Sequence, residues 1–99
     1  MKTFNQVMEE DRKLTILRLL AESPDYKANM YLLQSALEGF GHVVSIDRIK
    51  ADIAWLAEGG LVLAESAGAV LVPKLTHRGI DVAKGRVEHP GVKRPEPDL

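Results

Sequence analysis

The 99-residue chain has no cysteine, five aromatic residues and a net charge of only −1. Each scarcity removes a class of function. Without cysteine there is no disulfide, no thiolate nucleophile and no Cys-based zinc or iron–sulfur site; a reducing cytoplasm accommodates that absence. Few aromatics leave a modest aliphatic core, and the length predicts one domain. No apolar run approaches the ~20 residues a membrane span requires, and MKTFNQVMEEDRK lacks the apolar stretch of a signal peptide. A soluble cytoplasmic protein is expected, without membrane contact. The charge balance argues against a strong nucleic-acid binder, because phosphate neutralisation supplies most sequence-independent affinity.

Catalytic signatures are missing too. His42, His77 and His89 are far apart, and none has a ligand partner at i+3 or i+4. "GFG" and "EGG" read as helix stops rather than phosphate loops. No serine occupies a nucleophile elbow, and Glu9-Glu10-Asp11 reads as a solvated helix face beside Arg12 and Lys13. No enzyme, metal or cofactor is expected.

What is there is helical punctuation. Thr3 and Gln6 have capping-box spacing, and Val7, Leu14, Leu17, Leu20 and Ala21 recur at helical period until Ser23-Pro24, which predicts a helix over 4–22. Asn29 caps a second helix carrying Met30, Leu33, Ala36, Leu37 and Phe40, with Gly39 and Gly41 at its end. After the short link "GHVV", Ser45 caps a third helix with Asp47 in its first turn. Two β-prone runs, Leu61–Ala64 and Ala69–Val72, flank Glu65-Ser66-Ala67-Gly68 as a hairpin. Thr76 opens a last short helix ending near Gly85. Residues 88–99, "EHPGVKRPEPDL", hold three of the five prolines and read as an extended or disordered tail after a domain over 1–87.

Two helices joined by a short glycine-containing turn, then a hairpin and a helix, give a mainly α, α+β chain in the order of a winged helix-turn-helix. Leu56, Gly60, Leu61 and Val62 resemble the L-x-x-x-G-L-V junction by which many winged-helix repressors pass from recognition helix to wing. "LTHRG" resembles the L-T-x-x-G that opens their final helix. Over residues 4–86 the chain is similar to winged-helix proteins, and as a whole it resembles small winged-helix proteins of Mu-like phages and prophages, often labelled ArsR-type regulators. The resemblance implies a DNA-binding transcriptional regulator or DNA-handling accessory factor of phage origin. Metal-sensing members of the ArsR group often use cysteine ligands, and this chain has none.

On a wheel of the third helix, Ile46, Ile49, Ile53 and Leu56 share an arc of about 80°, and Arg48, Ala51, Asp52 and Trp55 are assigned to the opposite, groove-facing side. Arg48 is the candidate base contact; its alternative is a solvated pair with Asp52. Ser45 and His42 are candidates for backbone phosphates, and Ser66 and Gly68 of the wing for flanking ones. Trp55 either packs under the wing or a terminal helix, or anchors a protein partner, since tryptophan is enriched at interface hot spots. Residues 28–72 set Arg48 and Lys50 against Glu38, Asp47, Asp52, Glu58 and Glu65, a net −3 on the elements that would face phosphate. Double-stranded DNA would therefore be bound weakly or through a homodimer, which the long first helix and small core suggest. The alternative is a protein-interaction module built on the same fold.

Overall fold

A computed structural model of the chain describes residues 1–97. Four α-helices and one hairpin follow in the order α1 (Phe4–Glu22), α2 (Met30–Gly39), α3 (Ile46–Glu58), β1 (Val62–Ala67), β2 (Val70–Leu75) and α4 (His77–Ala83). This is the winged-helix order. Each helix begins where the sequence places a cap. The Thr3 hydroxyl accepts from Gln6 N while the Gln6 side chain accepts from Thr3 N. Asn29, Ser45 and Thr76 accept from the first-turn amides of α2, α3 and α4. These side chains satisfy donors that a helix start otherwise leaves open.

The core is aliphatic. Leu14, Ile16, Leu17 and Leu20 of α1 meet Leu33 and Leu37 of α2, Ile49, Ile53 and Leu56 of α3, and Leu61, Val62, Leu75 and Val82. Gly60 ends α3 with φ +73°, and Leu61 N returns to Leu56 O at 2.9 Å. That turn fixes where the wing leaves α3. Gly79 is required for packing, because a Cβ there would overlap the Leu61 carbonyl oxygen.

The wing is longer than the sequence suggests. β1 runs to Ala67 and β2 starts at Val70, with Val62 opposite Leu75 and Ala67 opposite Val70. The turn is therefore Gly68-Ala69, not Glu65–Gly68, and Gly68 takes φ +62° as a tight hairpin demands. Pro73 does not stop β2; it sits buried opposite Ala64. On the other side of β2, Lys27 makes an antiparallel bridge to Lys74. The 3₁₀ turn Pro24–Tyr26 leads into this bridge. Its Asp25 carboxylate lies 3.6 Å from Lys27 Nζ and 3.5 Å from Lys74 Nζ.

The segment after α4 folds back onto the domain. Val92 is buried, and Lys93 N donates to Glu10 O at 3.1 Å. Gly91 (φ +90°) lies against the Trp55 ring, where a Cβ would come within 2.6 Å of Cζ2. A proline-rich composition predicted an extended or disordered tail here. Val92 gives the segment an apolar anchor, and Gly91 supplies a left-handed turn that can touch a flat ring. Residues 98–99 of the expected tail lie outside the described residues.

Candidate nucleic-acid interface

Helix α3 is covered on two sides. Its isoleucine and leucine stripe enters the core, and α1 with the tail covers an adjacent side. Asp47, Arg48, Lys50, Ala51, Ala54 and Glu58 remain exposed. These residues, with the hairpin, form the surface that a winged helix turns to a major groove. The first two turns carry Arg48 and Lys50 against Asp47, with Ala51 and Ala54 leaving room for close approach.

The covered side is held by a run of charge on α1. Glu9 Oε1 lies 3.7 Å from Arg48 Nη1. The carboxylate of Asp11 receives Nε2 of His42 at 2.7 Å on one oxygen and stands 3.5 Å from Lys93 Nζ on the other. Arg12 donates twice to Asp52, at 2.5 and 3.1 Å, with both side chains almost fully buried. Lys13 Nζ stands 4.2 Å from the centre of the Trp55 ring, a cation–π contact. Glu10 pairs with Lys2 and accepts the tail amide of Lys93 through its backbone. Glu9-Glu10-Asp11, which read as a solvated face, and the adjoining Arg12 and Lys13 thus hold the helix-turn-helix turn, α3 and the tail. The sequence offered one signal for this: Arg12 and Lys13 precede Leu14 and Ile16 with no break in the helix, so part of the run had to face inward.

The candidate residues separate accordingly. Arg48 and Ala51 stay exposed. Asp52 does not; it is 2% exposed and neutralised by Arg12, so it cannot meet a groove. Arg48 pairs across to Glu9 rather than along its own helix to Asp52. His42 is 5% exposed and bonded to Asp11, which removes its ring from any phosphate. Its Nδ1 is buried without a partner. Trp55 is half-buried, its ring meeting His89 edge-on at 5.4 Å between centroids. It anchors the protein's own tail instead of offering its ring to a partner. Ser45 is exposed but already accepts from Arg48 N as the α3 cap. Ser66 and Gly68 lie exposed at the tip of the wing.

Burial of Asp52 changes the electrostatics of the face. The exposed carboxylates of residues 28–72 are Glu38, Asp47, Glu58 and Glu65, against Arg48 and Lys50, so the net falls to −2 from the −3 read in sequence. Among the described residues, no three His, Asp or Glu side chains converge as metal ligands, and no helix is long and apolar enough to cross a membrane.

Protein gp26 of Escherichia phage Mu, whose name calls it uncharacterized, is 46% identical over 93 residues, spanning 94% of this chain and 96% of gp26. This chain belongs to the gp26 family of phage Mu. A Haemophilus influenzae protein, also uncharacterized by name, is 31% identical over 77 residues, or 77% of this chain and 74% of its own length. No family model and no solved structure matches this chain.

Proposed function

We propose that this gp26-family chain is a DNA-binding protein of Mu-type phages or prophages, a transcriptional regulator or DNA-handling accessory factor that reads duplex DNA with α3. One observation carries the reading: the first two turns of α3 expose Arg48 and Lys50, while Asp52 of the same helix is sealed against Arg12. In this reading Arg48 meets a guanine edge, Asp47 a cytosine amino group and Lys50 a phosphate. Ser66 and Gly68 would lie along the flanking backbone. The wing turn, Gly68-Ala69, carries no cation, so affinity rests on few phosphate contacts and a homodimer would double them. Cytoplasmic action follows from a DNA target.

A titration of labelled mixed-sequence duplex, followed by anisotropy at low and at physiological salt, tests this. Binding should weaken with salt, Lys50→Ala should reduce the salt slope by about 0.9, and Arg48→Ala should relax base preference by about 1–3 kcal/mol. Absence of binding even at low salt would sink the reading.

A second reading is supported by apolar exposure: Tyr31, Leu32, Phe40 and Val43, on α2 and the turn after it, are each more than half exposed. In that reading the module docks a protein through this surface, and Tyr31→Ser with Leu32→Ser abolishes capture while leaving DNA binding unchanged.

A further inference from the structure

We propose a second polyanion-binding surface, suited to the phosphate backbone of nucleic acid, in the hollow where α1, the end of α4 and the tail meet. Arg18 of α1, Lys84 after α4 and Arg94 of the tail line it together with Pro95, Glu96 and Pro97. Arg18 and Lys84, distant in sequence, thus face one opening beside Glu96, and Arg94 joins them while paired with Glu88. Among the described residues, neither Arg18 nor Lys84 has a carboxylate within 4.0 Å, although most of the cations do.

Compensation of a helix dipole accounts for Lys84, which caps α4. It does not account for Arg18 or Arg94, which lie on other segments. The hollow also has a built floor. Gly85, at φ +76°, lets the chain turn, and Pro95 Cγ lies 3.6 Å from where a Cβ of Gly85 would stand. Tail and α4 are thereby pressed together, and the cations sit on a scaffold ordered before any ligand arrives, which lowers the cost of binding. The free Arg18 guanidinium matches phosphate oxygens, Lys84 adds a point charge, and Arg94 can turn to phosphate by exchanging its Glu88 partner. No residue of α2, α3 or the hairpin lines the hollow, so it is a contact distinct from the α3 face. That the polyanion is nucleic acid rests on the DNA-binding reading; the convergence of cations does not.

The test uses the full chain. Arg18→Glu with Lys84→Glu is compared with Arg48→Ala with Lys50→Ala in duplex titrations between 50 and 200 mM salt. Both altered pairs are exposed, and unchanged thermal unfolding controls for folding. Loss of two phosphate contacts at the hollow lowers the salt slope by about 1.8, so affinity falls about tenfold less across that range. Amide shifts of Arg18, Lys84 and Arg94 in ¹⁵N-labelled protein on adding a short duplex should accompany it. A reduced slope in the hollow variant supports the proposal even where the α3 variant binds normally, an outcome that would instead overturn the α3 reading. An unchanged slope and unmoved amides overturn the proposal while leaving α3 intact. A wild-type chain that binds no duplex at low salt overturns both.

Discussion

Arg12 and Asp52, forty residues apart, meet in two hydrogen bonds in the interior, with side chains only 4% and 3% exposed. The pair pins the middle of α3 to α1. A buried ion pair of this kind adds little over an apolar pair, but removing one partner strands the other charge without water. Arg12→Met or Asp52→Ala alone is expected to lower unfolding stability by about 3–5 kcal/mol. The double variant Arg12→Met/Asp52→Leu should recover most of it. Urea unfolding of the three variants measures this, and single variants within about 1 kcal/mol of wild type would show that water reaches the pair.

The Trp55–Gly91 contact leaves no space for a methyl group, and φ +90° at Gly91 disfavours any other residue. Gly91→Ala should therefore lift the tail from α3 at a cost of about 1–3 kcal/mol. Trp55 is the only tryptophan, so its emission reports the event directly: a red shift, with faster tryptic cleavage after Lys93. Unchanged emission and cleavage would mean that the tail is held by other contacts.

His89 stacks edge-on against Trp55, and its pKa is lowered from 6.5, first by burial and then by the positive charge of Arg78. A group whose pKa is depressed in the docked state takes up its proton more readily when released. Docking is thus at full strength above pH 6.5 and is lost as pH falls through the lowered pKa. Trp55 emission recorded from about pH 8 to 5 should shift red toward the acid end in wild type and stay flat in His89→Gln. A wild-type curve that His89→Gln reproduces would assign the transition to another group.

The helix starts were legible because caps act locally: Thr3, Asn29, Ser45 and Thr76 each bond within three residues of themselves. The buried face of α3 was only half legible. At 100° per residue, Asp52 lies about 40° from Leu56 and so borders the apolar stripe, whereas Trp55, about 100° from Leu56, lies well beyond it and is half-buried by α1 and the tail. The wheel reading set Asp52 on the groove side although its angle puts it next to Leu56. Nothing local announces that Arg12, forty positions earlier, would neutralise it. The second β-prone run reached only Val72 in the sequence, yet the strand continues through Pro73, which lies buried with no ladder amide to give. The fold back of the tail depended on one glycine meeting one ring, a match that composition averages away.

The first turns of α1 carry the last consequence. Phe4 and Val7, three residues apart on one helix face, are 78% and 46% exposed. Single exposed apolar residues are ordinary, but adjacent ones on a helix end favour burial against a partner. A second copy of the chain is the expected partner, since joining two α3 faces multiplies phosphate contacts that are too few on one. Sedimentation at micromolar concentration should give twice the monomer mass, and Phe4→Ser/Val7→Ser should return the monomer with unchanged helical circular dichroism and without the concentration-dependent Tm of a dimer. The same variant should bind duplex more weakly and with a shallower salt slope. A monomeric wild type would remove the dimer, leaving α3 and any second cationic surface as the only sources of DNA affinity.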